Sequence, residues 1–160
     1  MLMVENILTN MTTTEILNLL PYSQPFLFVD ELHEVNENGA TGSYTFKVDE
    51  YFYKGHFKEC PITPGVILTE TMAQIAVITV GIFLGQEKIA KTFSMPDIAL
   101  TSTEINFHAP VFPGEKVTVT STKKYFRFGK LSCDVKMMNS TGKVVCSGNI
   151  SGILKSKKCE

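Results

Sequence analysis

The sequence predicts an α+β fold in which a curved antiparallel β-sheet wraps around a long central helix. Val66–Leu84 is an apolar segment of helical length, and the second half of the chain is a series of strand-like segments separated by turns. A helix that is apolar on all sides must be covered nearly all round. The simplest cover is one sheet that curls about the helix, helped by a second subunit.

Length and composition are those of one globular domain spanning residues 1–160. Hydrophobic residues make up 44% and charged residues 19%, which excludes a disordered or collagen-like chain. With 15 lysines and arginines against 16 acidic residues, the chain lacks the basic excess of a nucleic-acid-binding protein. Four cysteines without C-x-x-C spacing indicate reduced thiols in a cytoplasmic protein, and an opening decapeptide without basic residues is not typical of a secretory signal.

The first half is expected to hold a short helix followed by a β-hairpin. Thr12 and Glu15 form a capping-box pattern that opens a helix over about 12–20, and Pro21 ends it. Alternating and apolar residues then predict two strands and the turn between them. The strands lie at Phe26–Glu37 and Tyr44–Val48, and the turn between them lies at Asn38-Gly39.

Val66–Leu84 is also the one candidate for a membrane span, because 13 of its 19 residues are Ala, Val, Ile, Leu, Met or Phe. It contains Glu70, Gln74 and three threonines as well, and a carboxylate inside hydrocarbon costs several kcal/mol. We therefore expect a helix that is buried in the protein, ends near Gly85 and does not enter a membrane.

Beyond this helix, short runs of alternating residues are separated by proline, glycine and asparagine turns. In the run Lys116–Thr122, Val117 and Val119 fall on one face and threonines on the other. The four predicted strands are Ile98–Phe107, Lys116–Thr122, Leu131–Met138 and Lys143–Leu154. The tail over about 155–160 is expected to be disordered.

Glu70 is a candidate for chemistry because its helical neighbours are apolar and no cation stands three or four residues away. A buried carboxyl group without a cation raises its pKa or finds hydrogen bonds, and it can then act as a general acid near neutral pH. The same residue could instead point into an ordinary interface or cap a loop amide. Gln74 lies one turn further along the same helical face, where it could support Glu70.

His56 stands between Gly55 and Phe57, before a loop that is rich in proline. An ordinary imidazole pKa suits proton abstraction at neutral pH, although a lone histidine is often structural. His33 and His108 lie in strand-like segments and are expected to be structural.

Thr63-Pro64-Gly65 is typical of a helix start, with Thr63 as the N-cap and Pro64 as the first helical residue. Gly65 would let a ligand approach the backbone closely. The first-turn amides and the helix dipole could then bind a carbonyl oxygen that gains negative charge, although plain helix initiation would explain the same residues.

Taken together, these motifs resemble a known family. Gly55-His56-Phe57, Pro61-Ile62-x-Pro64-Gly65-Val66 and Glu70-x-x-Ala73-Gln74 resemble the active-site signature of the 3-hydroxyacyl-[acyl-carrier-protein] dehydratases, which have the hotdog fold. Leu20-Pro21-x-x-x-Pro25-Phe26-Leu27-x-Val29-Asp30 resembles the opening motif of that family. Phe107-x-x-Pro110-Val111-x-Pro113-Gly114-Glu115 resembles the strand and turn after its helix. The resemblance runs from Leu20 to Leu154 in the family's order.

The resemblance implies dehydration of (3R)-3-hydroxyacyl thioesters on acyl carrier protein to trans-2-enoyl thioesters, in fatty acid or related chain synthesis. His56 matches the catalytic histidine of the family, Glu70 its catalytic acid, and Gly65 the glycine whose amide polarises the thioester carbonyl. The site would be shared within a homodimer or a trimer of dimers, with His56 facing Glu70 of the partner subunit. Neither a metal nor another cofactor is expected. The expected substrate-binding residues are Phe57, Pro64, Val66 and Gln74.

The sequence departs from the family pattern at two places. Tyr22-Ser23 stands where the opening motif usually has His-Arg, and Lys58 replaces the proline after Gly-His-Phe. Both changes bear on substrate range and carrier docking, and neither removes the expected acid, base or oxyanion donor. An acidic carrier would be steered by cations near the entrance. The candidates are Lys54, Lys58, Lys123, Lys124, Arg127 and Lys130.

Three alternatives remain open from the sequence. One is a hotdog acyl-thioesterase, which would release free thiol. Another is a non-catalytic acyl-binding subunit or ligand sensor, which would hold an acyl thioester unconverted. The third is a dehydratase of a secondary pathway, such as an aryl-polyene or pigment chain.

Overall fold

The structure is a computed structural model that describes residues 10–155. Within that range the chain forms three helices, of which the second is long, and six strands. They are α1 Thr13–Leu19, β1 Glu31–Asn36, β2 Gly39–Thr45, α2 Gly65–Leu84, α3 Gln86–Thr92, β3 Asp97–Phe107, β4 Lys116–Arg127, β5 Lys130–Asn139 and β6 Val144–Lys155. Lys155 still belongs to β6, and the rest of the tail expected to be disordered lies outside the described residues.

The six strands form one antiparallel sheet in the order β1-β2-β4-β5-β6-β3. Helix α2 packs against β2, β4, β5 and β6, so that the sheet curves around it. Val117 and Val119 point toward the helix and are fully buried, whereas Thr118 and Thr120 face the other side. The predicted α+β fold, a curved sheet around a central helix, is confirmed.

Helix α2 is the core of the protein. It is long and apolar enough to cross a membrane by length and composition alone, but 83% of its most apolar window is buried against the rest of the fold. Its middle, Ala73–Ile78, is a π-helical stretch whose six side chains are all buried. The Ser121 hydroxyl donates a 2.9 Å hydrogen bond to the Ala76 carbonyl and accepts one from the Ala40 amide, which ties this stretch to two strands.

The sheet comes unusually close to α2 at Gly42 in β2. A Cβ atom at Gly42 would lie 2.9 Å from Cγ2 of Ile75 and 2.7 Å from the carbonyl oxygen of Glu31. Those distances are shorter than van der Waals contact, so no larger residue fits without moving the helix or the hairpin. Close packing here fixes the height of α2 above the sheet, and thereby the position of the residues at its start.

The N-terminal helix forms where the sequence predicts it. The Thr12 hydroxyl accepts a hydrogen bond from the Glu15 amide, and the Glu15 carboxylate accepts one from the Thr12 amide. The capping box is therefore complete, and α1 ends at Leu19, before Pro21.

The β1–β2 hairpin differs from its prediction in three respects. The strand begins at Glu31 rather than Phe26, because the backbone of residues 26–28 hydrogen-bonds to a helix side chain and not to another strand. The turn lies at residues 37–38, with the Asn36 side chain accepting from the Asn38 amide, and Gly39 is already the first residue of β2. The return strand ends at Thr45, so Val48 lies beyond it.

In the second half, one additional helix is present and one strand runs well past its predicted end. Gly85 caps α2 as expected, its φ stays negative, and α3 follows directly. Strand β4 continues to Arg127, past the predicted end at Thr122, because it pairs with β5 as far as the turn at Phe128-Gly129. Both turn residues have positive φ, which suits the twist of a two-residue hairpin.

Strand β3 is an edge of the sheet. It pairs with β6 along its length, and no other strand of the described residues covers its second side. Most of its side chains are exposed, including the apolar Leu100 and Phe107. A long edge with only two charged residues, Asp97 and Glu104, is a ready surface for pairing with another chain.

Candidate active site

His56 lies in the loop between the 3₁₀ turn Tyr51–Lys54 and helix α2. The His56 amide donates to the Phe52 carbonyl over 3.0 Å, and the Ile62 amide donates to the His56 carbonyl over 2.9 Å. Both the amide and the carbonyl of the histidine are thus held by backbone hydrogen bonds. The loop presents the ring at a set position beside the start of the helix.

The His56 ring is held in one tautomer. Its Nδ1 lies 2.9 Å from the carbonyl oxygen of Ile62. A carbonyl can only accept, so Nδ1 carries the hydrogen and Nε2 keeps a lone pair for a base. The ring also stacks on Phe57 with centroids 4.0 Å apart. Ile62 acts here through its backbone, and the side-chain pattern of the sequence gave no sign of that role.

Helix α2 begins one residue later than predicted. Pro64 is the N-cap and Gly65 the first helical residue, so Thr63 is not the cap. The Thr63 hydroxyl is engaged elsewhere, 2.6 Å from the Tyr53 hydroxyl, and its amide donates to the Val111 carbonyl. Both contacts fix the segment that joins His56 to the helix. Tyr53 is a positioning residue that sequence reasoning missed, because its partner is ten residues away.

Gly65 and His56 line the same cleft, which has a volume of about 390 Å³. The Gly65 amide makes no hydrogen bond within residues 10–155, as befits the first turn of a helix, and the helix dipole adds partial positive charge there. A Cβ atom at Gly65 would lie 3.1 Å from Cζ of Phe107. A larger residue would therefore crowd that ring and the space at the amide.

Glu70 does not line this cleft. It lies partly buried on α2, where burial raises the pKa of its carboxyl group and a hydrogen bond from Gln74 opposes that shift. No hydrogen bond joins it to His56 among the described residues of one chain. The single chain therefore brings His56 together with Gly65 and keeps Glu70 apart from them.

Gln74 is fully buried and uses its whole side-chain amide. Its Nε2 donates to Oε1 of Glu70 over 2.9 Å and to the Phe26 carbonyl over 3.0 Å, and its Oε1 accepts from the Phe28 amide over 2.8 Å. Gln74 thus supports Glu70, as its spacing suggested. It has no exposed surface of its own, so its contact with a substrate would be indirect.

Tyr22 is a further neighbour of Glu70. Burial and the charge of Glu70, in that order, raise the pKa of its phenol to about 12. The residue drew attention in the sequence only as a departure from a motif. Its response to the charge of Glu70 could not be inferred there, since the two residues are far apart in the sequence.

The other expected substrate-binding residues surround the helix start. Pro64 is buried, whereas Phe57 is 58% exposed and Val66 is 76% exposed. Exposed apolar side chains of this size are the kind of surface that a substrate or another subunit can cover. Within residues 10–155, no three His, Cys, Asp or Glu side chains are grouped closely enough to hold a metal ion.

The candidate docking cations fall into two groups. Lys54 and Lys58 are exposed beside His56. The other four lie near the β4–β5 turn, and Lys124 is 4.0 Å from Asp134. Strand register places Met137, not Lys130, level with Phe107 and the cleft. Lys130 is seven positions from Met137, a separation of roughly 23 Å along the strand. Within one chain, only the first group is close to the cleft.

Comparison with known proteins agrees with these features. The model of the FabA-like domain family matches residues 20–150. Over 149 residues the chain is 36% identical to the 3-hydroxyacyl-[acyl-carrier-protein] dehydratase FabZ of Sinorhizobium fredii, covering 90% of each chain. It is 31% identical to that of Clostridium perfringens, covering 88% of this chain and 96% of the other.

Solved structures show the same fold. The dehydratase heterocomplex ApeI:P from Xenorhabdus doucetiae superimposes with a TM-score of 0.71 at 16% identity, covering 86% of this chain and 89% of the other. A hypothetical thioesterase from Streptococcus pneumoniae superimposes with a TM-score of 0.60 at 15% identity, covering 81% of this chain and 88% of the other. These identities speak for the hotdog fold alone. With a family model over most of its length and relatives above 30% identity, the chain belongs to the FabA-like family of 3-hydroxyacyl-[acyl-carrier-protein] dehydratases.

Proposed function

We propose that this protein catalyses the reversible elimination of water from (3R)-3-hydroxyacyl thioesters on acyl carrier protein, giving trans-2-enoyl thioesters. One observation carries this most strongly. The Nδ1 contact with Ile62 leaves Nε2 of His56 for a base, and the His56 ring lines the same cleft as Gly65, whose amide has no partner among the described residues. A base and an oxyanion donor side by side suit removal of a proton next to a thioester carbonyl.

The reaction assigns one task to each group. His56 Nε2 takes the C2 proton, and the charge that develops on the thioester oxygen is stabilised by the Gly65 amide at the start of α2. Glu70, directly or through a water, protonates or orients the 3-hydroxyl group, which leaves as water. The C2 electron pair forms the double bond to C3, so no oxidant, metal or other cofactor enters the balance.

Glu70 comes from a second copy of the chain in this proposal. The cleft of one chain lacks a carboxyl group and Glu70 lies outside it, so a second copy of the chain is the natural source of the acid. The open edge of β3 would form the interface between the two subunits, because Phe107 at its end lies against Gly65. A homodimer paired along β3, or a trimer of such dimers, would complete two sites and cover Phe57 and Val66.

The acyl chain of the substrate would run in an apolar tunnel along α2 and the subunit boundary. Its carrier is an acidic protein, and Lys54 and Lys58 are placed to attract it. Such a substrate belongs to the cytoplasm, and the thiols of Cys133 and Cys146, both buried and unpaired, suit a reducing compartment. We infer a cytoplasmic enzyme of fatty acid or related chain synthesis.

A hydration assay tests the proposal. The purified protein and a trans-2-enoyl thioester are mixed, and the loss of enoyl absorbance is recorded together with the release of free thiol. We expect absorbance to fall without thiol release, and His56→Ala to slow the reaction by at least ~10²-fold. His33→Ala is the matched control, because His33 is exposed on β1, away from the cleft. Thiol release without hydration would favour a thioesterase, and a retained, unconverted thioester would favour a binding subunit.

A further inference from the structure

The loop that carries His56 has almost no packing of its own. Between Lys54 and Pro61 every residue is exposed except His56, which is partly buried. Side-chain burial therefore cannot hold the loop in one shape, and hydrogen bonds at its base must do so. Tyr53 and Thr63, which stand where the loop leaves and re-enters the core, are both buried, with exposed fractions of 6% and 4%.

The hydroxyl groups of Tyr53 and Thr63 lie 2.6 Å apart, so one donates to the other and the two ends of the loop are joined. Within residues 10–155 neither hydroxyl group has another hydrogen-bond partner. Burial raises the pKa of the Tyr53 phenol above its usual range, although the bond with Thr63 opposes that shift. Both groups therefore stay uncharged at neutral pH and can keep this bond.

Thr63 belongs to the peptide unit that faces the His56 ring. The Ile62 carbonyl and the Thr63 amide are parts of one planar unit. The carbonyl accepts from Nδ1 of His56 over 2.9 Å, and the amide donates to the Val111 carbonyl over 2.9 Å. Because the unit is rigid, its tilt decides whether the carbonyl points at Nδ1. Val111 fixes that tilt through the backbone, and Tyr53 fixes it through the Thr63 side chain.

Tyr53 belongs to the turn that fixes the His56 backbone. The Tyr53 amide donates to the Glu50 carbonyl over 3.1 Å, and the His56 amide donates to the Phe52 carbonyl over 3.0 Å. Tyr53 does not line the cleft, whereas His56 and Thr63 do. Any effect of Tyr53 on the reaction must therefore pass through other residues.

We propose that the hydroxyl pair of Tyr53 and Thr63 keeps the Ile62 carbonyl on Nδ1 of His56, and thereby holds the imidazole in the tautomer that leaves Nε2 as a base. Tyr53 is then a positioning residue and not a catalytic one. The proposal rests on the proposed function in taking His56 as the base of the site. Without the bond, the peptide unit can tilt and the ring can populate its other tautomer. That tautomer carries its hydrogen on Nε2 and cannot accept a proton there.

The test measures the tautomer of His56 without substrate. Protein labelled with ¹⁵N in its histidine rings gives different NMR signals for ring nitrogens with and without hydrogen, and the His56 signals are identified by their loss in His56→Ala. At a pH where the ring is neutral, wild type should carry the hydrogen on Nδ1. Tyr53→Phe removes only a hydroxyl group, and the Nδ1 and Nε2 signals should move toward each other as both tautomers become populated.

Tyr51→Phe is the matched control. It makes the same change in the same turn, at an exposed side chain whose hydroxyl group has no hydrogen-bond partner within residues 10–155. Its His56 signals should stay as in wild type. In the hydration assay, kcat should fall about tenfold in Tyr53→Phe with a small change in KM, because the cleft is the same but its base is less well placed. Tyr51→Phe should keep the wild-type kcat.

Unchanged His56 signals in Tyr53→Phe would overturn the proposal even if the variant were less stable, because a purely structural bond affects stability alone. If Tyr53→Phe does not fold, adding Thr63→Val removes the second hydroxyl group and leaves no buried one without a partner. The signals of that double variant should also move together, and signals at their wild-type positions would contradict the proposal. Thr63→Ser keeps a hydroxyl group and should keep the wild-type tautomer. Wild type without hydration activity would refute the proposed function and leave the NMR signals to decide on the hydroxyl pair.

Discussion

The side-chain amide of Gln74 donates to the Glu70 carboxylate over 2.9 Å, and its remaining hydrogen bonds hold the backbone at Phe26 and Phe28. One buried group thus joins the candidate acid to the segment that precedes the sheet. The π-helical stretch begins at Ala73, so Gln74 lies where α2 changes from α-helical to π-helical winding. Local changes of helix type of this kind often accompany functional sites.

Gln74→Ala should destabilise the protein and release Glu70. The Phe28 amide would lose its partner within the core, and each buried polar group left without one costs about 1–3 kcal/mol. We expect the free energy of unfolding to fall by ~2–4 kcal/mol, measured by urea denaturation. Gln86→Ala is the control, since Gln86 also accepts from a backbone amide, that of Met11, but nearer the surface. An equal loss in both variants would argue against a special role for Gln74.

Glu70 should make stability depend on pH. Its pKa in the folded state is raised above the ordinary carboxyl value of 4.5, mainly by burial, so the folded protein binds its proton more tightly than the unfolded chain. Stability from this group is then complete below pH 4.5 and declines as pH rises through the folded pKa. Glu70→Gln removes the titrating group. The variant should gain stability relative to wild type as pH rises above 4.5 and through the folded pKa.

Thermal unfolding of both proteins across that pH range checks the expected trend. The control is Glu34→Gln, whose carboxylate is exposed on β1. A difference between Glu70→Gln and wild type that stays constant with pH would mean that the Glu70 pKa is not raised by folding.

Gly65→Ala should impair catalysis more than folding. The added methyl group would lie 3.1 Å from the Phe107 ring, so the ring or the helix start must shift by some tenths of an ångström. A displaced oxyanion donor can cost ~10²-fold in rate, and we expect a fall of that order in kcat with a small change in KM. Gly55→Ala, where a Cβ meets nothing within 4 Å, should keep near-normal kcat. Equal kcat values for the two variants would count against Gly65 as the donor.

Most of the fold followed from residue patterns, and the exceptions share a cause. The capping box of Thr12 and Glu15 and the alternation around Val117 are local signals, and both held. The prediction of a strand from Phe26 was wrong, because Gln74 takes the backbone groups that a strand would have used. Contacts between residues 46 or 48 positions apart leave no trace in a local pattern.

In the candidate site, too, local arrangements could be predicted from the sequence and long-range contacts could not. His56 and Gly65 share a cleft as expected, because both lie within a short segment of one loop and one helix start. The hydrogen bonds of Gln74 to the backbone at Phe26 and Phe28 depend on long-range packing and could not be inferred. The catalytic roles themselves stay predictions, since they depend on a second subunit.

Carrier docking should depend on the lysines beside the cleft. Reversing Lys54 and Lys58 to glutamate is expected to raise KM for a carrier-bound substrate at low salt, because the attraction to an acidic partner is lost. Turnover of a small thioester that lacks the carrier should stay the same. Lys136→Glu, an exposed charge on the outer face of β5, is the control. If both substrates are affected alike, the lysines serve the cleft and not the carrier.

A shared site makes a sharp prediction for mixed subunits. His56→Ala and Glu70→Gln would each be inactive alone, because every site in either homodimer lacks one partner. In a mixed dimer, one of the two sites pairs an intact His56 with an intact Glu70. Random reassociation makes half of the dimers mixed, so the mixture should recover roughly a quarter of wild-type activity.

The experiment unfolds the two variants together, refolds them and measures enoyl hydration, with size-exclusion chromatography to confirm the dimer. A mixture prepared without unfolding is the control and should stay inactive while subunits do not exchange. If His56 and Glu70 of the same chain formed the site, each chain in the mixed dimer would still carry a defect. Activity would then remain at the level of the separate variants, and the two-subunit site would be ruled out.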